Sequence, residues 1–413
     1  MVTGIIAEYN PFHKGHALQL KAAKAMGGGP IAVVMSGNYV QRGEPALLSK
    51  ACRARMALAA GADLVVELPL PWAMSTAQNF AEGGVRLLDA LSCQAISFGC
   101  ESGDGTVLRQ AAQAVDAPDL KPWLDKELAA GLSFAAARER AVEALCGPDT
   151  AALLRRPNDI LAVEYLAAAR RLGIELLPLP VRRMGAGHDA DPVEAVQTGR
   201  TQEDGENQKG EALPALSASG IRRLLLEGRT EEALTHIPAD LRPILCEELA
   251  ERGLCRPQRL ERAILARLRC MSPADFAVLP DVSEGLENRL HAAARRAGSL
   301  SELHAAVKVK RYSMARIRRI VLSAFLGLDG RHFRQPVPYI RVLGFREQGL
   351  SIIKEAGRRA ALPLLLRAGD MEGLDRRGLD VFQSECRADD LYWLAADRPR
   401  PCGTDFTDPV IRL

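Results

Sequence analysis

At 413 residues, 47% apolar and 25% charged, the chain has the length and composition of a globular protein of two or three domains. A net charge of +3 rules out a uniformly basic nucleic-acid coat, so any basic surface has to be local. No uninterrupted apolar run approaches the roughly eighteen residues of a membrane span, and Glu8, His13 and Lys14 break up the first apolar stretch, so neither a membrane segment nor a signal sequence is expected.

The first 180 or so residues alternate short apolar runs with helical patterns. Candidate strands cover Thr3–Ala7, Ile31–Met35, Asp63–Leu68, Ala95–Phe98 and Ile174–Leu179. Helical patterns cover His16–Met26, Lys50–Ala60, Ala77–Leu91 and Asp159–Leu172; in the first, Leu18, Ala22, Ala25 and Met26 share one face. Such alternation predicts a parallel sheet with crossover helices, whose ligands bind beyond the carboxyl ends of the strands.

At the first strand-to-helix turn stands Asn10-Pro11-Phe12-His13-Lys14-Gly15-His16. Imidazoles there can hold phosphate oxygens as charge moves in nucleotidyl transfer, and outward amides near Gly15 would favour an anion at the helix start. The same histidines would also serve as surface or capping residues; the position after a first strand tips the reading toward a nucleotide site. Ser36-Gly37-Asn38-Tyr39-Val40-Gln41-Arg42-Gly43 follows the second strand, where Arg42 and Lys50 would neutralise phosphate, although alone the segment suits an ordinary turn. Gly99, after Phe98, would let adenine or ribose lie against backbone. Asn158 is a helix cap by type or a ligand by position, and Arg182 and Arg183 could clamp phosphates. Ser217-Ala218-Ser219-Gly220-Ile221-Arg222 offers hydroxyls and a guanidinium at another helix start.

Residues 185–213 are polar and sparse in apolar side chains, a long loop expected to be mobile, either a lid or an insertion without a role. After Pro214 the pattern turns mainly helical. Near Val309–Leu326, residues Ile317, Ile320, Val321, Ala324 and Phe325 share a face, and Lys308, Lys310, Arg311, Arg316, Arg318 and Arg319 crowd the start. That cluster suits RNA phosphates, with Arg331, His332 and Arg334 as an extension, or else a solvated helix face. Pro338–Phe345 reads as a strand before another helix. The nine cysteines are scattered without a CxxC pair, which suits reduced thiols in a cytoplasm.

Several of these stretches together resemble the bacterial tRNA(Met) cytidine acetate ligases, of the HxGH nucleotidyltransferase superfamily. The matching segments are Glu8–His16, Met35–Ala46, Ala62–Pro69, Phe98–Glu101, Ser283–Arg289 and Tyr339–Phe345, spread over nearly the whole chain. The resemblance implies an α/β, Rossmann-like parallel-sheet nucleotidyltransferase domain at 1–230, followed by a mainly helical, tRNA-binding region at 231–413. It implies a two-step ligase: acetate and ATP give acetyl-adenylate and pyrophosphate, then the N4 amine of wobble cytidine 34 in elongator tRNA(Met) takes the acetyl group and AMP leaves. Mg²⁺ is expected with the ATP phosphates; no membrane or obligate protein partner is.

Carried over residue by residue, the family's ATP contacts fall on Ile6, Ala7, Glu8, Tyr9, Asn10, Pro11, Phe12, His13, Lys14, Gly15, His16, Ala17, Leu18 and Gln19, then Gly99, Asn158, Arg182 and Arg183, with His13 and His16 catalytic. Lys14 stands where asparagine is common in the family, Gln19 where a further histidine is common, and Cys100 where serine is. Two rival readings are a small-molecule adenylyltransferase, against which the large helical half argues, and a non-catalytic RNA-binding protein, against which the intact His13 and His16 argue.

Overall fold

The computed structural model describes residues 1–183, 216–283, 285–359 and 361–413, with Arg334 described as backbone only. The polar segment 185–213, Glu284 and the Arg334 side chain therefore lie outside the described residues.

Eight strands form one sheet: β1 (Thr3–Ala7), β2 (Ile31–Ser36), β3 (Leu64–Leu68), β4 (Ala95–Cys100), β5 (Leu177–Arg182), β6 (Ile340–Phe345), β7 (Leu364–Leu365) and β8 (Ile411–Arg412). Their order is β8-β6-β3-β2-β1-β4-β5, with β7 also on β6. The first five run parallel, as crossover helices require. The exception is β6, expected as a strand, which joins β3 antiparallel. The sheet thus takes strands from both sides of residue 231, and a division at 230/231 does not separate it.

Alternation along the strands sends Ile6, Val34 and Val66 to one face and Ile5, Val33 and Val65 to the other. The first face is covered by α3 (Ala77–Ala90) and α4 (Pro157–Leu172), the second by α1 (Lys14–Gly27) and α2 (Lys50–Ala59). In α1 the buried residues are Leu20 and Ala23, whereas Leu18 and Met26 are 56% and 45% exposed. The face the spacing picks out is therefore the outer one. Alanine-rich helices carry periodicity that fits more than one face, and here the sheet takes the face of Leu20 and Ala23.

β5 starts three residues later than expected because α4 closes at Gly173 in the left-handed region (φ 65°), and the Ile174 N–H bonds back to the Ala169 carbonyl at 2.9 Å. The sequence marks no helix between 101 and 156, yet Gly105–Ala114, Leu120–Ala129 and Phe134–Cys146 are helical. Their apolar stripes are short; the second buries only Leu120.

In the C-terminal half, helices pack around Leu260, Phe276, Leu290, Ile317 and Ile320. The basic segment leads into α6 (Met314–Leu326), whose inner face holds Ile317, Ile320, Val321 and Ala324. The long helix α7 (Arg376–Ala395) joins the two cores: Val381 and Phe382 lie in the sheet's cluster, Tyr392 and Trp393 in the helical one. Beneath it, Lys50 Nζ reaches Glu67 at 3.0 Å, Asp389 at 2.5 Å and Asp405 at 2.8 Å, and Arg341 reaches Glu67 at 3.2 Å and Asp405 at 2.6 Å. Lys50 is thus enclosed by carboxylates, not available to phosphate, because its helix points it back under α7.

Candidate active site

Beyond the carboxyl ends of β1 and β4 lies a cleft of about 330 Å³. At its floor the chain leaves β1 through Tyr9, whose backbone is left-handed (φ 49°). The fully buried Arg53 of α2 holds this turn in place by donating to the carbonyls of Glu8 (2.7 Å), Ser36 (3.0 Å), Gly37 and Leu48 (3.0 Å). One guanidinium thereby ties together the ends of β1 and β2. Its partners are backbone groups, so no motif announces it.

The two histidines cap α1 reciprocally. His13 Nδ1 accepts from the Gly15 N–H at 3.0 Å, and His16 Nδ1 accepts from the His13 N–H at 3.3 Å. Both Nδ1 atoms being acceptors, the proton each neutral ring can offer is on Nε2. The rings stack with centroids 3.7 Å apart and 21° between planes, and Tyr9 (4.9 Å) and Phe12 (5.5 Å) wall in His16. A Cβ on Gly15 would stand 2.8 Å from His13 Cε1, which is why the motif needs glycine here. Outward amides, by contrast, are not what the helix start presents. The Gly15 N–H is taken by His13, that of Lys14 by the His236 carbonyl (3.0 Å), and that of His16 by the His13 carbonyl (2.9 Å). The helix start thus offers imidazoles instead of backbone amides, at the positive end of the helix dipole.

Of the fourteen first-loop residues singled out, Ile6, Ala7, Glu8, Tyr9, Asn10, His13, His16 and Gln19 line the cleft. Pro11 and Phe12 are buried beneath the turn, Lys14 and Leu18 face solvent, and Gly15 and Ala17 do not reach the cleft. Gly99, Asn158 and Arg183 line it together. Asn158 is not a cap: Arg156 takes the N-cap position. Its Nδ2 donates to Glu101 Oε1 at 2.6 Å and its Oδ1 accepts from Arg183 at 2.9 Å. A Cβ on Gly99 would come within 3.3 Å of Arg183 Cδ, so the glycine lets that arginine cross. Arg182, one residue earlier on the strand, packs over Gly103, outside the cleft.

Three guanidinium groups, Arg42, Arg183 and Arg222, reach the lining from three separate segments. Arg222, on α5 (Ala218–Leu226), donates to the Asn10 carbonyl at 2.8 Å and pairs with Glu44 at 3.4 Å. Phe80, Phe98, Ile160, Leu161 and Tyr165 form an apolar wall suited to a purine. Of these only the Phe98 segment stands out in the sequence, because the others read as ordinary core positions of α3 and α4.

The start of α6 docks beside this cleft. Gly43 (φ 74°) sits so close that a Cβ there would be 2.5 Å from the Arg319 nitrogen, and Arg319 also reaches the Gln41 carbonyl at 3.4 Å. Not all of the basic cluster faces outward. Arg316 donates to the Asp281 carbonyl (2.7 Å) and Arg319 pairs with the Asp281 carboxylate (3.0 Å). Lys308, Lys310, Arg311 and Arg318 are exposed. Arg331 pairs with Asp329 at 2.6 Å, and His332 lies 3.3 Å from Asp380.

Residues 1–404 match the HIGH Nucleotidyl Transferase family. The tRNA(Met) cytidine acetate ligase of Thermoanaerobacter sp. (strain X514) is 35% identical across the whole of both chains, and that of Acetivibrio thermocellus is 35% identical over 99% of each. The crystal structure of apo Thermotoga maritima TmcAL superposes with a TM-score of 0.88 at 31% identity, covering 100% of this chain and 99% of that one. The same enzyme bound with alpha-thio ATP gives a TM-score of 0.87 at 30% identity over the same shares.

Proposed function

The chain belongs to the HIGH nucleotidyl transferase family, and we propose from its end-to-end likeness to the tRNA(Met) cytidine acetate ligases that it carries out their reaction. It activates acetate with ATP as acetyl-adenylate, releasing pyrophosphate, and acetylates the N4 amine of the wobble cytidine of elongator tRNA(Met), releasing AMP. Acetate alone is a poor acyl donor because its leaving group would be oxide. Adenylation replaces that with a stabilised phosphate anion.

The observation that carries the assignment of the chemistry is the capped, stacked pair His13 and His16, with Nε2 as donor atom, in a cleft that also holds three guanidinium groups. In the first step charge builds on the α-phosphate and on departing pyrophosphate, where preorganised donors act most strongly. We assign His13 and His16 to that charge, Arg42, Arg183 and Arg222 to the phosphates, and the Phe80–Tyr165 wall to adenine. Mg²⁺ accompanying ATP would be held by phosphate oxygens and water and would supply charge neutralisation there; among the described residues no group of three or more His, Cys, Asp or Glu is placed to hold a metal ion.

The second step needs chiefly the alignment of a weakly nucleophilic amine with the acyl carbon. Residues 1–230 supply the ATP chemistry and 231–413 hold the tRNA, with Lys308, Lys310, Arg311 and Arg318 on its phosphates. Among the described residues no helix is long and apolar enough to cross a membrane, and the reaction is assigned to the cytoplasm, where its tRNA is. Acetate-dependent ATP–pyrophosphate exchange tests the first step. Exchange that ignores acetate but responds to a phosphorylated metabolite would overturn the reading in favour of a small-molecule adenylyltransferase.

A further inference from the structure

We propose that Glu8 is the proton acceptor for the cytidine amine in the acyl-transfer step, an inference that rests on the ligase reading above. Glu8 directly follows β1, three residues before Pro11, and is the one carboxylate among the described residues that line the cleft. A carboxylate among three arginines and two imidazoles works against a triphosphate, so its presence there calls for a role that needs its charge.

Its structural bond does not need that charge. Oε1 accepts the Gln41 N–H at 2.8 Å, which a glutamine oxygen would do equally well. Among the described residues nothing else donates a hydrogen bond to the carboxylate, and Glu8 is a half-buried residue of the cleft lining. Arg42 and Arg222 attract it, Glu44 repels it, and the buried Arg53 and Tyr165 lie within electrostatic reach. Burial outweighs the Gln41 bond and the two arginines, and holds the carboxyl above its ordinary value, which makes the ionised form a stronger base than a free glutamate.

The balance of the step is simple. The amine nitrogen forms its bond to the acetyl carbon, the bond from that carbon to the phosphate oxygen breaks with its electron pair leaving on AMP, and the N4 proton passes to Glu8, which returns it to water through the open cleft. An exocyclic amine conjugated to a pyrimidine is a weak nucleophile, so removal of its proton as the bond forms is where a base contributes most.

The test compares two reactions of the full chain with labelled acetate, ATP and unmodified elongator tRNA(Met): acetate-dependent ATP–pyrophosphate exchange and formation of N4-acetylcytidine. Glu8→Gln is expected to slow transfer about 10²–10⁴-fold, a greater loss than any it causes in exchange. The wild-type transfer rate should rise with pH on its acid side, Glu8→Gln should flatten that limb, and Glu8→Asp should restore part of it. Equal losses in exchange and transfer would overturn the proposal in favour of an ATP-binding or structural role, and so would unimpaired transfer. Failure of the wild-type protein to form N4-acetylcytidine would instead overturn the ligase reading.

Discussion

The proposed chemistry rests on two ring nitrogens being bonded to backbone. Because His13 Nδ1 accepts from Gly15 and His16 Nδ1 from His13, the tautomers are set before any substrate arrives. His16→Ala should slow acetate-dependent exchange roughly 10²–10³-fold, as loss of one preorganised donor does elsewhere. Gly15→Ala should cost exchange activity while leaving both histidines in the chain, since its Cβ would force the His13 ring aside by contact at 2.8 Å; full exchange in that variant would contradict the geometry. Arg53 poses a different question, because it bonds to four carbonyls and does not line the cleft. Arg53→Met would leave those carbonyls buried without donors, each at about 1–3 kcal/mol. Denaturant unfolding should show a loss of about 3 kcal/mol or more, and Arg53→Lys should recover little, since an ammonium cannot span the same directions.

The elements translate these contacts into architecture. Helix α7 is the strut between the two cores, and its inner face carries Glu385 and Asp389 into the charge cluster around Lys50 and Arg341. Burial, helped by repulsion from Glu67, pushes the Glu385 carboxyl up to about 7. The folded state therefore keeps a proton that the unfolded chain releases nearer pH 4.5, so the stability from this group is full below that range and is lost as pH rises through 7. Thermal unfolding of wild type should fall between pH 5 and 8 relative to Glu385→Gln, which keeps the acceptor for the Leu70 N–H. Parallel pH profiles would show that the carboxyl is ionised throughout. Helix α6 makes a second junction, where the close approach at Gly43 sets the basic segment beside the cleft. Alanine at Lys310 and Arg318 should raise the apparent KM for tRNA and lower the salt slope by roughly 0.7–0.9 per lost phosphate contact, with exchange unchanged. Arg316→Ala should act on stability instead, through its bonds to Asp281.

Over the whole molecule, what could be read in advance follows the range of the interactions. Strands β1 to β4 and their helices are legible because alternation and helical spacing are local signals, and the HxGH turn is legible because its residues are contiguous. The antiparallel pairing of β6 with β3 joins residues 274 to 281 positions apart and leaves no local trace, although the apolar run of β6 itself is plain. Arg53 and Lys50 look alike in sequence as cations in one amphipathic helix; only the packed structure separates a carbonyl-binding pillar from an ion buried under α7. In the cleft, the histidines, Gly99, Asn158 and Arg183 can be picked out from the chain, whereas the wall of Phe80, Ile160, Leu161 and Tyr165 cannot, because a residue facing a ligand and one facing the core have the same periodicity. The measurement that bears most directly on the central claim is mass spectrometry of nucleosides from unmodified elongator tRNA(Met) incubated with the protein, ATP and isotopically labelled acetate. Labelled N4-acetylcytidine that depends on ATP and disappears in His16→Ala is the predicted result; ATP turnover with no labelled nucleoside would contradict it.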